Sequence, residues 1–539
     1  MYELSLCDES ERQSGDNNMY DRRLLITLTV VAAAVASAAQ AGQITSRVAI
    51  DFEISKPVRD LVPSTASRPA WSHHRINPLA SEADGGARGT WTRGDVPIDP
   101  LAPLSRNPFA PTPPLDLLFD GIANPFACDG CSPPDTNGDI GNKQYLQVVN
   151  ATKIGVFKQK NGKALAPPFD LGSLWTSGPC AADVGDPVVL FDGRAKRWVL
   201  TQLANANAVC FAISQTSDPL GAYFLYTFDT VDFPDYFKIG VWPDAYYGAA
   251  NQSSYAAFAF NRAKMLIGDP SAEAIRFAGE TNFLMPADLD DKSHPHRGGY
   301  FFTFKDDAFH GGADRIELFQ LKPDFADPGQ STFTLINTFP IASFTYTVCG
   351  FFNFNCIPQK GTGRRVDAVS EWPMQRFAYR QIGNQQELVG NFTIGGGTAS
   401  PGAAIRWFEL RNTGSGWSLV QEGTQDLGDG LNRFMGSIAM DQAGDIALGY
   451  SASSGNDFPS IRYATRHPTD PLGTLGAEQI LKAGGGSQTG SNRWGDYSGM
   501  AVDPQGGCQF WYTNEYYDVN SGSDWKTAVG AFTDPSCAP

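Results

Sequence analysis

Phe211–Gly221 and Tyr463–Gly473 read almost alike across about 250 residues, and such echoes mark a fold built from one repeated supersecondary unit. Both are apolar-alternating runs that end in the same turn, Asp-Pro-Leu-Gly, at Asp218–Gly221 and Asp470–Gly473. Alternation of period two predicts a half-buried strand, and Asp-Pro followed by Gly predicts the turn that ends it. The echo therefore predicts the third strand of a small meander and its closing turn, in the second unit and again in the second from last.

The neighbouring sequence supplies the rest of each unit. Asp186–Asp192, Arg197–Gln202, Cys210–Gln215 and Ala222–Phe228 are four short apolar runs separated by turns. Four short strands in meander order make one blade of a β-propeller. Ser437–Ser451 and Gly499–Thr513 align with each other, each a small-residue strand that ends in Asp and turns through Gly. The small residues suit a strand crowded near an axis. Val241-Trp242-Pro243-Asp244 and Glu371-Trp372-Pro373 form another echo. Units thus begin near residues 140, 185, 240, 366, 435 and 497, and the long interval 260–365 hides a seventh unit or large insertions. The expected fold is all-β, a six- or seven-bladed propeller over residues 116–539.

What precedes it reads differently. Arg22 and Arg23, the apolar run Leu24–Val35 and the small-residue site Ala39-Gln40-Ala41 have the layout of a secretory signal, with cleavage expected after Ala41. Met19 stands where such a signal's start is expected. The apolar run is too short to span a bilayer, so no transmembrane anchor is expected after cleavage. Residues 42–115 are rich in Pro, including Pro97, Pro100, Pro103, Pro108 and Pro111, which predicts an extended, disordered leader.

Of nine cysteines, Cys7 falls in the leader region. The other eight suggest the local pairs Cys128–Cys131, Cys180–Cys210, Cys349–Cys356 and Cys508–Cys537, as an oxidising, secreted or cell-surface location favours. A formal net charge of −16 argues against nucleic acid as a partner.

Several longer motifs carry a resemblance. Pro133–Gly141, Pro286–Asp290, Met435–Asp441, Pro459–Tyr463, Arg493–Ser498 and the tail Phe510–Tyr517 resemble a family of exported bacterial proteins, over roughly residues 116–537. That resemblance implies export and a propeller-like fold, and it assigns no activity.

Candidate sites follow from residue chemistry. Asp186, Asp244 and Glu371 recur at blade starts, which in a propeller line the mouth of the axial channel, as in propeller glycosidases of the arabinanase type. Converging carboxylates would supply the general acid and base of a polysaccharide hydrolase or lyase. Trp242, Trp372, Trp494 and Tyr516 are candidates to stack on sugar rings, and Arg376 to bind a substrate anion. Asp135, Asn137 and Asp139 have the alternating oxygen spacing of a calcium loop, so a structural calcium is the ion to test there, with Asp288-Leu-Asp290-Asp291 a weaker counterpart. No cofactor is otherwise required. His294-Pro-His296, with His310, reads as solvated loop rather than metal site. Arg364, Arg365, Arg376, Arg380 and Arg406 are enough for a sialidase-like cluster, but the sialidase turns are absent. Extracellular recognition with a glycan as first ligand class is the leading expectation. A polysaccharide-acting enzyme and a cell-surface scaffold are the alternatives.

Overall fold

The computed structural model describes residues 43–61, 99–106, 110–253, 256–279, 283–290, 293, 295–350 and 353–537. The expected signal, most of the Pro-rich leader, Asp291 and His294 lie outside these residues.

Among the described residues the strands form six hydrogen-bonded sheets, one of them eight-stranded. That large sheet is two four-stranded meanders joined by a parallel pairing of Met285–Leu289 with Phe377–Ile382. Counted this way, seven antiparallel meanders follow one another. Their first strands are Asn137–Ile140, Val188–Asp192, Asp235–Val241, Met285–Leu289, Phe377–Ile382, Asn432–Met440 and Gly499–Val502. Each first strand packs against the next, and the seventh packs against the first, so the inner strands close a ring.

The inner strands approach too closely for large side chains on every position. A Cβ at Gly240 would collide with the Ala287 carbonyl oxygen of the adjacent inner strand. Polar side chains stitch neighbours together where backbone pairing is absent. Asn137 Oδ1 accepts from Val189 N at 2.8 Å and Asp139 Oδ2 from Phe191 N at 2.6 Å, two steps in the same direction that show the strands run parallel. Asp288 Oδ1 accepts from Val241 N at 2.8 Å, and Ser437 Oγ from Met500 N at 2.9 Å.

The apolar cores lie between adjacent meanders. One cluster joins Val148 and Ile154 of the first to Leu200 and Ala212 of the second. Another joins Ile140 and Tyr145 of the first to Trp511 and Val529 of the last, and so seals the ring. Tyr145 and Trp511 stack there at 5.2 Å between centroids. Burial of such side chains contributes about 1.5–3 kcal/mol each. The ring is also closed by hydrogen bonding, because Leu117–Asp120, which precedes the first meander in the chain, pairs with Lys526–Thr533 as the outermost strand of the last meander.

The Asp-Pro-Leu-Gly turns fall where the repeat places them, after the third strands Ala208–Ser214 and Ser460–Arg466 of the second and sixth meanders. The interval 260–365 holds both a meander, whose strands run from Met285 to Pro340, and a long loop before Phe377. The leader boundary needs correction. Gln43–Val48 pairs with Glu273–Ala278, and Asp51–Ile54 with Tyr223–Asp229, each as the fifth, outer strand of a sheet. These residues alternate and contain no Pro before Pro57, so an open sheet edge can order them. All four expected cysteine pairs are disulfides. Among the described residues no helix is long and apolar enough to cross a membrane.

Candidate functional site at one end of the ring

At the end where the inner strands begin, the backbone is repeatedly forced into the left-handed region. Asp135, Asp186, Tyr236, Phe283, Val369 and Met435 all have φ between 42° and 54°, each at or ahead of a different inner strand. Left-handed geometry is uncommon outside glycine, and bulges are one place that tolerates it. Register shifts at Asp235/Lys238 and Phe434/Ser437 show such bulges directly.

Five meanders contribute to what gathers there. Asp135 Oδ1 accepts from Asp496 N at 2.8 Å, and its Oδ2 from Asn150 Nδ2 at 2.8 Å. Asn150 Oδ1 in turn accepts from Asp186 N at 3.2 Å. Lys238 is buried with its Nζ 3.6 Å from the centre of the Tyr236 ring and 3.9 Å from that of Tyr497. Arg493 pairs with Asp367 at 2.6 Å and also with Asp496. Glu515, fully buried, accepts from Gly495 N at 2.5 Å. Asp186 and Asp235 keep partial contact with solvent.

Carboxylates outnumber cations, and the electrostatics follow. Burial raises Asp135 well above the ordinary range, and the charges of Asp496 and Asp186 add to the effect. Burial likewise raises Asp186, against the opposing pull of Lys238. Asp235 is pushed up to about 8 by burial and by Asp186, and Asp367 to about 7 by burial, with Arg493 opposing. Burial lowers Lys238 despite the acids around it. Opposed shifts of this kind equip a site to hold, donate and accept protons near neutral pH.

The sequence candidates divide. Asp186 and Asp135 belong to this end, and so does Glu371, in the loop before Phe377, where it lines a small cavity with Asp367 and Trp372. Asp244 does not. It follows Val241 at the far end of the third inner strand, where Tyr247 Oη and Gly298 N donate to it at 3.1 and 2.9 Å. That strand separates it from Asp235 by roughly 20 Å, far beyond the ~5–10 Å over which two carboxylates share one hydrolysis. The expected trio therefore does not converge.

The aromatic candidates are corrected as well. Trp242 and Trp494 have no exposed surface, Trp372 is 1% and Tyr516 6% exposed. They pack between meanders: Trp372 lies against Tyr236 at 4.5 Å, and Trp242 against Tyr379 at 4.7 Å. Large rings lose most by facing water, so the seams take them first. Arg376 is likewise committed to Asp288 and Asp290, with a third bond to Met500 O at 3.0 Å. Nor do Asp135, Asn137 and Asp139 form a calcium loop. Asn137 and Asp139 lie in an inner strand, and the stitching bonds already take up their oxygens. Arg380 and Arg406 are buried in separate contacts, while Arg364 and Arg365 are exposed. His296 is exposed and His310 packs beside Tyr346.

Sequence reasoning missed Asp235, Lys238, Asp367, Asp496 and Glu515. Two signals were available: a single Lys inside the apolar run Tyr236–Val241, and an Asp two or three residues before an inner strand at Asp135, Asp186 and Asp496.

No family model matches the chain, and no curated protein matches it. Several solved structures share a loose likeness. A polysaccharide lyase, an ulvan lyase, is 12% identical, with 76% of this chain and 98% of that chain covered and a TM-score of 0.36. The WD40 domain of SCAP from fission yeast is 7% identical over 77% and 98%, with a TM-score of 0.34. A chain of a mitotic checkpoint complex is 11% identical over 78% and 94%, at 0.39. Likenesses this weak carry no argument, and the ring of inner strands stands without them.

Proposed function

We propose that this chain is an exported, seven-bladed β-propeller that recognises carbohydrate at the end of the ring where its inner strands begin. The convergence of Asp135, Asp186, Asp235, Lys238 and Asp496 around one axis supports this reading most. Carboxylates and an ammonium are the hydrogen-bonding groups that sugar hydroxyls need, and two of the acids remain open to solvent. Recognition here is polar, because the large aromatics are spent on packing. Four disulfides suit an oxidising location.

One observation favours a second reading, in which the site also cleaves its ligand. Asp235, held protonated to about pH 8 and partly exposed, has the properties of a general acid. A glycan array and a polysaccharide panel, read for binding and for released reducing or unsaturated ends, separate the readings. Asp186→Asn and Asp235→Asn should each weaken binding at least tenfold, while Asp244→Asn at the far end leaves it unchanged. Product release by the wild type would establish cleavage, and its loss in Asp235→Asn at saturating ligand would assign the general acid to Asp235. Silence of the wild type on both panels would overturn recognition and leave a scaffold.

A further inference from the structure

The loop between Pro340 and Phe377 carries a feature that this acidic protein shows nowhere else in its candidate site. Lys360, Arg364 and Arg365 fall within six residues, all exposed, and none makes an ion pair among the described residues. In a chain of net charge −16, three cations without an acidic partner on one short hairpin are a local reversal of sign, although Lys360 lies 4.9 Å over the Phe458 ring and Arg365 Nη1 donates to Cys356 O at 3.1 Å. The hairpin is firmly held. Ile357 bridges Val366, Cys349–Cys356 staples its base, and Gln359 Nε2 donates to Gln488 O at 3.0 Å.

An open depression lies beside it, lined by Asn355, Thr362, Gly363, Arg364, Thr489 and Asn492. It sits at the same end of the ring as the acids, since Asp367 N donates to Asn492 O at 2.8 Å and Arg493 binds Asp367. Arg364 is oriented by Thr489 O at 3.3 Å from Nε and Asn492 Oδ1 at 2.6 Å from Nη1, while Nη2 takes no hydrogen bond among the described residues. Hydroxyl and amide side chains make up most of the remaining wall, and Gly363 has nothing within 4 Å of where a Cβ would stand. A pre-oriented guanidinium presents a fork that matches a carboxylate, and amides and hydroxyls match sugar hydroxyls.

We infer that this depression is a subsite for a carboxylated saccharide, with Arg364 binding the uronate carboxylate, Asn355, Thr362 and Thr489 binding its hydroxyls, and Asn492 holding Arg364 and Asn355 in place. The inference rests on the carbohydrate reading above and names the ligand's charge. Lys360 and Arg365 supply the longer-range attraction that an acidic protein otherwise lacks toward an anionic polymer.

Calorimetric titration with oligogalacturonides and with neutral cello- and xylo-oligosaccharides, each at low and high salt, tests it. The uronate oligomers should bind, weaken as salt rises, and lose at least tenfold in affinity in Arg364→Gln. Arg364→Lys should recover only part, because it restores the charge without the fork. An unchanged thermal unfolding midpoint in Arg364→Gln shows that the exposed substitution leaves the fold intact. If neutral oligomers bind as well as uronates and Arg364→Gln changes nothing, the inference falls and carbohydrate recognition survives. If no oligomer or polysaccharide binds the wild type, recognition itself falls.

Discussion

Arg406 has no exposed side-chain surface, and neither has its partner Asp99, 2.5 Å away. Glu422 adds a second pair at 2.8 Å, and Thr424 Oγ1 accepts from Nε at 2.9 Å. Read from sequence, Arg406 was one of five arginines suited to an anion site, and Asp99 belonged to a disordered leader. The structure makes them one structural clamp, which pins the segment around Ala102–Arg106 onto the fifth meander. Composition could not reveal this, because the pairing crosses 307 positions. Asp99→Ala would leave a buried guanidinium short of its counter-charge, and breaking such a pair costs about 3–5 kcal/mol. Urea unfolding should show that loss. The double variant Asp99→Ala/Arg406→Met should regain part of it, and a loss under about 1 kcal/mol in Asp99→Ala would mean that the clamp is dispensable.

At the scale of the element, the meanders were legible because each repeats the same local decision: short apolar alternation, then Asp or Gly at the turn. The fourth meander, Met285–Pro340, was harder to read because it lies between the helix Arg262–Ile267 and the long loop before Phe377, which obscure the repeat spacing. The outer strands Gln43–Val48 and Asp51–Ile54 were hidden for a different reason, since an edge strand is ordered by backbone bonds to a distant partner. A further contact between elements lay beyond sequence reasoning. His467, after the third strand of the sixth meander, sits between Asp445 in a turn of that meander and Asp534 after the third strand of the seventh, at 2.8 and 3.3 Å. Ser536 Oγ lies 3.1 Å from Nδ1, Asp470 accepts from the His467 backbone N–H at 2.8 Å, and Cys508–Cys537 ties the same tail down.

Partial burial opposes charge on this ring, but the Asp445 hydrogen bond and the charges of Asp445, Asp534 and Asp470 hold its pKa above the ordinary 6.5. A proton held more tightly in the folded state stabilises fully below the unfolded value, and that contribution is lost as pH rises through the folded one. His467→Gln should therefore cost more stability at pH 6 than at pH 9. A cost equal at both values would assign His467 a packing role alone.

The whole molecule turns on where its charges are placed. A chain of net charge −16 could spread its acids over solvent, and most of an acidic surface needs no further account. Here a group of them is drawn into the end of the ring, against the desolvation that such placement costs. The repeat made the ring legible, but not this end of it, because the converging residues come from five meanders and share no motif beyond an Asp ahead of some inner strands. Function is a common reason to retain a costly cluster, and pH offers a way to measure the cost. Asp235 and Asp367 keep their protons to about pH 8 and 7, chiefly through burial. An unfolded aspartate ionises near pH ~4. Between those values the folded chain binds more protons than the unfolded chain, so the free energy of unfolding must fall as pH rises from about 4 to 8. Denaturant unfolding at intervals across that range should show the decline, and Asp235→Asn and Asp367→Asn should each flatten it while raising stability at pH 8. His467→Gln also flattens the upper part of the curve, so the aspartate variants are best compared in that background. If neither asparagine variant gains stability at pH 8, the acids are stabilised by contacts that outweigh their burial, and the site is not strained for function in the way its charges imply.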